Sequence, residues 1–299
     1  MIEKTKSRVN EYFKYNELKY YLDTLNDIKT ITFKNININI LIDKNKDVNK
    51  DIDLNYINII IKRAYKITQH INKTFNIHLI LSPLKKAFNS TNLKAENCNS
   101  GLTYLNLSVD VPSVDIYIVR KEEFGKVIIH EIIHHITLIH SNFKKSNIDK
   151  LKQFFNISPL ADIDPNETIV EFCATIYHLY QISLETNADF YNLFKDELKY
   201  SLYKTQQLLN LQKKMPNGIW YEESHIFCYI IFKTIIMYNF CEFQKIYTFP
   251  YNDDVITDFL INHSGFLSSL QKNILNILKK KLKKNRPSKS LCFMVHSDS

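Results

Sequence analysis

The chain has 299 residues, of which 45% are hydrophobic and 23% are charged, and its formal net charge is +8. This composition is ordinary for a globular protein and supplies enough apolar material for one large domain or two smaller ones. Because seven of the basic residues lie between positions 279 and 289, the remainder is nearly neutral, which excludes a basic nucleic-acid-binding surface over the whole protein.

Strand and helix patterns alternate in the first 120 residues. Residues 1–30 are charged and aromatic and favour helix. From Ile36 to Ile40 every second residue is isoleucine, so 32–43 is predicted to be one half-buried strand. The apolar spacing then predicts, in chain order, a helix over 56–75 and strands over 77–81 and 114–119.

An HExxH motif occupies the apolar helical segment that follows. His130 and His134 are four residues apart, so both imidazoles lie on one helical face and can bind one metal ion. Zinc readily accepts neutral imidazole nitrogen, and catalytic zinc sites keep one coordination position for water. Glu131 lies beside that position, where it can accept a proton from water activated by the metal. The motif therefore predicts a hydrolytic zinc centre with Glu131 as general base.

Strand patterns fade after residue 140, and helical patterns continue. Helices are predicted over 163–186, 189–213, 220–237, 254–261 and 267–284. We therefore expect an α+β fold with three parts. These are an N-terminal subdomain over 1–142 with a mixed sheet and the HExxH helix, a helical subdomain over 143–284 that carries the third metal ligand, and a basic, flexible tail over 285–299.

A catalytic zinc ion needs a third protein ligand. His140 has the spacing of the compact HExxHxxGxxH motif, but Thr137 replaces the glycine that would turn the chain back towards the metal. Pro165 suits a helix start, and Glu167 and Glu171 lie one turn apart on one face of the helix that follows. Glu167 is the preferred third ligand, with Glu171 and then His140 as alternatives.

An HExxH motif followed by a helical Asn166-Glu167-x-x-x-Glu171 segment resembles the gluzincin class of zinc metallopeptidases. The resemblance implies a zincin-like fold, Zn²⁺ as cofactor and a protein or peptide substrate. It also implies that Glu171 binds the other ring nitrogen of a zinc-ligating histidine, His130 in the simplest arrangement. Glu171 departs from the aspartate that the class often has. The zinc ligands implied are His130, His134 and Glu167.

Peptide cleavage needs two further features. An edge strand usually pairs with the extended substrate, and residues 114–119 or 102–107 are the candidates. A hydrogen-bond donor must also stabilise the tetrahedral oxyanion. His225 and Tyr229 are the candidate donors, because they lie four residues apart in a polar part of the predicted helix 220–237.

A second resemblance concerns the setting. Segments 99–103, 115–123 and 126–131 resemble predicted metallopeptidases of large nucleocytoplasmic DNA viruses. The chain has no signal-peptide pattern and no CxxC pair among its five cysteines. We therefore expect a cytoplasmic or nuclear protein, or one in the host cytoplasm or virion if viral, that is not secreted and has no membrane partner.

The alternative to a peptidase is a non-catalytic structural or interaction protein with the zincin fold, associated with virions or nucleic acid. The basic tail over 279–289 is the part of the chain that suits a nucleic-acid partner. Intact His130, Glu131 and His134 favour the peptidase, since a structural role requires none of them.

Overall fold

A computed structural model describes residues 1–46, 53–86, 93–94, 98–104, 112–136, 143–248 and 251–270. These residues form an α+β protein in two compact units. One unit comprises the described parts of 1–85 and 99–137, and the other those of 86–98 and 138–296. The predictions for Thr137, His140, residues 105–107 and the basic tail lie outside the described residues.

The first unit is built on a mixed sheet of five strands, which are β1 (Asp27–Phe33), β2 (Ile36–Ile42), β3 (Thr74–Ser82), β5 (Gly101–Thr103) and β6 (Ser113–Arg120). Their order in the sheet is β1-β2-β3-β6-β5. β1 and β2 form an antiparallel hairpin, β2, β3 and β6 run parallel, and β5 is antiparallel to β6. Two further strands of the described residues, β4 (Leu93–Lys94) and β7 (Glu222–Glu223), belong to the second unit.

The hairpin corrects the prediction of one strand over 32–43. Lys34 has a φ of 58°, and a two-residue turn joins Phe33 to Ile36, which face each other across the two strands. The alternation of apolar and polar residues continues without a break through such a two-residue turn, so the sequence pattern does not reveal the turn. The predicted strands at 77–81 and 114–119 are confirmed within β3 and β6.

Helices cover both faces of this sheet. Ile57 and Ile60 of α3 (Leu54–Thr68) and Ile128 and Ile132 of α4 (Phe124–Ile136) pack in the same core as the isoleucines of β2. α1 (Ile2–Tyr12) and α2 (Asn16–Thr24) pack in a second core with Leu41, Ile80 and Val119. Each fully buried side chain of this size contributes about 1.5–3 kcal/mol, so α4 is held firmly on the sheet.

The second unit is mainly helical. Its α-helices are α5 (Lys145–Phe154), α6 (Pro165–Thr186), α7 (Phe190–Gln212), α8 (Lys233–Tyr238), α9 (Phe240–Ile246) and α10 (Asp253–Asn262). The predicted start of α6 at Pro165 is confirmed, and the Asp164 side chain caps it by accepting a hydrogen bond from the Asn166 N–H. Among the described residues no helix has both the length and the apolar character needed to cross a membrane.

The predicted helix over 220–237 is wrong at its beginning. Glu222 and Glu223 form β7, which pairs in parallel with β4. The helix begins after His225, passes through a π-helical segment over Cys228–Phe232, and continues as α8. The predicted spacing of His225 and Tyr229 on one helical face therefore does not hold.

Candidate metal centre

The two histidines of the HExxH motif lie on α4 with their Nε2 atoms 3.3 Å apart. Two nitrogen ligands at about 2.0–2.1 Å from a tetrahedral zinc ion are separated by about 3.3–3.4 Å. The pair therefore has the spacing that two nitrogen ligands of one zinc ion require. His130 is 7% exposed, so a bound cation would be largely shielded from solvent on that side.

Glu167 lies in the first turn of α6. One potential ligand atom from each of His130, His134 and Glu167 lies within 4.8 Å of the other two. No other group of three or more His, Cys, Asp or Glu side chains within such a distance occurs among the residues that the structure describes. Two imidazoles and one carboxylate suit zinc better than magnesium or calcium, which prefer oxygen ligands alone.

The carboxyl group of Glu131 lies against the backbone of β5. A Cβ atom at Gly101 would lie 2.3 Å from Glu131 Oε1 and 2.8 Å from Val127 Cγ1, so any larger residue at this position would displace the Glu131 carboxylate. β5 ends the described sheet beside the proposed general base. This location favours the first residues of the predicted 102–107 segment as the substrate strand. The alternative, 114–119, is wrong because β6 pairs with strands on both sides.

Glu171 is buried one turn after Glu167 on α6, with 1% of its surface exposed. Its Oε1 lies 4.0 Å from Nζ of Lys233. A buried lysine beside this carboxyl group had no signal in the sequence, because Lys233 lies in an otherwise apolar segment 62 residues later. The prediction that Glu171 binds the ring of a zinc-ligating histidine remains a prediction.

His225 precedes the helix that contains Tyr229 and has a left-handed φ of 57°. Its carbonyl accepts the first helical hydrogen bond from the Tyr229 N–H, and the two rings are 6.5 Å apart. His225 Nδ1 lies 3.9 Å from Asp162 Oδ1. Burial and the charge of Glu167 raise the pKa of Asp164, and the hydrogen bond from the Asn166 N–H group and the proximity of His225 partly counteract this increase. His225 thus lies near the beginning of α6 in a backbone conformation that costs about 1–3 kcal/mol.

Glu222 holds this conformation and was missed by the sequence analysis. Its carboxylate is fully buried and accepts hydrogen bonds from the N–H groups of Ile226 and Phe227 and from the Ser224 hydroxyl. These bonds satisfy donors at the beginning of the helix, immediately after His225. Two adjacent glutamates are more typical of a solvated surface, so the burial of Glu222 could not be predicted from its local sequence.

Burial raises the pKa of Glu222 to about 7. An unfolded glutamate has a pKa near 4.3, so the folded state binds this proton more tightly than the unfolded state does. This tighter binding stabilises the fold fully below about pH 4.3, and the stabilisation declines between that pH and the folded pKa. The gain is lost as the pH rises through about 7. We expect the wild-type protein to lose about 2 kcal/mol of unfolding free energy between pH 5 and pH 8, relative to Glu222→Gln. Urea unfolding of both proteins at the two pH values measures this; parallel pH dependences would contradict it.

Similarity to known proteins adds nothing to this geometry. No family model matches the chain, and neither the curated proteins nor the solved structures include one that is significantly similar to it. The donor chemistry and the spacing of His130 and His134 are therefore the features that indicate a function.

Proposed function

We propose that the chain is a zinc-dependent peptidase of the gluzincin type with a zincin-like fold. The observation that carries this proposal is the 3.3 Å separation of His130 Nε2 and His134 Nε2 on a helix that is packed against the sheet. His130, His134 and Glu167 would hold the zinc ion. When bound, zinc supplies Lewis acidity, which polarises a peptide carbonyl and makes water more acidic.

Glu131 is the proposed general base. Its carboxylate accepts a proton from the attacking water and returns that proton to the leaving amine. Its place beside Gly101 supports this role, because β5 brings backbone hydrogen-bonding groups next to the same carboxylate. An extended peptide that pairs with β5 would present its carbonyl groups there.

His225 and Tyr229 are the proposed oxyanion donors. A side-chain N–H or O–H group directed at the developing negative charge typically accounts for about 10²–10³-fold in rate. The left-handed conformation of His225 supports its role, since strained backbone conformations are concentrated at functional sites. Glu171 would fix the ring of His130 by accepting its second N–H group.

Zinc content tests the metal site directly. The wild-type protein, purified without a metal-affinity step, is expected to contain about one zinc ion per chain, and Glu167→Ala is expected to lose it, because two histidines alone bind zinc weakly. Elemental analysis measures this. Glu185→Ala, on an exposed part of the same helix, serves as the control and should retain zinc.

The other outcomes have distinct meanings. A folded wild-type protein without zinc would contradict the proposed function and favour the structural or interaction protein with the same fold. Zinc retained by Glu167→Ala would transfer the role of third ligand to Glu171 or His140.

A further inference from the structure

A buried lysine lies close to two buried carboxyl groups in the helical unit. Lys233 Nζ lies 3.7 Å from Glu197 Oε1 and 4.0 Å from Glu171 Oε1. Lys233 and Glu171 are each 1% exposed, and Glu197 is fully buried. Three ionisable groups from α6, α7 and α8 therefore meet in the interior of one unit.

Local structure determines where Lys233 points. It is the first residue of α8 and directly follows the π-helical segment Cys228–Phe232. A π-helical turn inserts one residue more than an α-helical turn and so rotates the side chains that follow; such turns are frequent at functional sites. Neighbouring polar groups complete the arrangement, since the Thr234 hydroxyl donates to the Ile230 carbonyl and the Ser201 hydroxyl donates to Glu197.

Burying three ionisable groups is unfavourable in free energy if the cluster serves packing alone. Removing charged groups from water is strongly unfavourable, and apolar residues of similar volume often stabilise a core equally well. The identity of one member suggests what the cluster does. Glu171 lies one turn after Glu167 on the same helix, and its carboxylate is the proposed acceptor for a zinc-ligating histidine.

We propose that Lys233 is a positioning residue for the metal centre, which acts by fixing the carboxylate of Glu171. This inference rests on the proposed function. The Lys233 ammonium group attracts Oε1 of Glu171. This attraction would favour one orientation of the carboxylate and leave its other oxygen for a ring N–H group. Glu197 anchors Lys233 from the opposite helix. Partners that orient ligands in this way commonly change metal affinity by about 10–100-fold.

Zinc affinity measured by chelator competition tests the inference. Lys233→Met and Glu171→Gln are each expected to weaken zinc binding about tenfold or more. The double variant should be no weaker than Glu171→Gln alone, because Lys233 acts through Glu171. Lys204→Met is the matched control: Lys204 is also buried in this unit, but its Nζ lies near the rings of Tyr200 and Tyr203, so zinc affinity should not change.

The visible absorption spectrum of the cobalt-substituted protein provides a second readout, because it reports ligand geometry and is insensitive to global stability. Lys233→Met should alter that spectrum, and Lys204→Met should not. If Lys233→Met fails to fold, Lys233→Met/Glu197→Gln removes one charge of each sign and should fold with the same loss of affinity.

Wild-type zinc affinity and an unchanged cobalt spectrum in either folded Lys233 variant would overturn the inference, as would additive effects of Lys233→Met and Glu171→Gln. These results differ from failure of the proposed function, in which the wild-type protein itself binds no zinc. In that case the role of Lys233 is overturned as well.

Discussion

Replacing Glu131 with glutamine is expected to leave zinc binding intact and to lower peptide hydrolysis by about a thousandfold, within the range typical of general-base catalysis. Glutamine has nearly the same shape as glutamate and fits the same space beside Gly101, but its amide cannot accept the proton from water. Zinc content and kcat/KM on a fluorescently labelled, unfolded protein substrate measure the two effects.

Glu122→Gln is a suitable control for the loss of one negative charge, because Glu122 is a partly exposed turn residue before α4 and is not part of the HExxH motif. It should retain both zinc and activity. A Glu131→Gln protein with wild-type activity would exclude Glu131 as the general base, whatever its zinc content. An inactive Glu131→Gln protein that has also lost zinc would instead indicate that the substitution disturbs the histidine pair.

Sequence patterns were sufficient to predict those elements whose structure is determined by neighbouring residues. The HExxH helix could be predicted because Ile128 and Ile132 repeat at helical spacing and both are buried on the sheet. The start of α6 could be predicted because Pro165 and the Asp164 cap act within one turn. The sequence therefore placed His130, His134 and Glu167 on the helices that carry them.

Features that depend on distant residues could not be predicted. Glu222 lies in a strand and not in the predicted helix because it pairs with Leu93, which is far away in sequence. Its buried carboxylate accepts a hydrogen bond from the backbone immediately after His225. The role proposed for Lys233 likewise depends on its proximity to Glu171 and Glu197, which lie on two other helices. Such contacts have no periodic pattern, because each depends on where another segment of the chain is placed.

Gly101 is important in the structure for a reason that no sequence motif indicates, namely its contact with the Glu131 carboxylate. Gly101→Ala is expected to retain zinc and to lower kcat/KM about a hundredfold. The new Cβ atom would lie 2.3 Å from Glu131 Oε1, so the carboxylate must move by about 1 Å, and a displacement of that size commonly costs about 10²-fold in rate. The measurements are zinc content and kcat/KM.

Two other glycines separate this effect from general disturbance. A Cβ atom at Gly265 would meet nothing within 4 Å, so Gly265→Ala should behave as wild type. At Gly125 a Cβ atom would lie 2.1 Å from the Tyr56 hydroxyl oxygen, so Gly125→Ala should lower stability by crowding the core. If crowding near α4 alone were responsible, Gly125→Ala and Gly101→Ala would lose activity equally. A folded, zinc-loaded Gly101→Ala protein with full activity would show that catalysis does not depend on the present position of the Glu131 carboxylate.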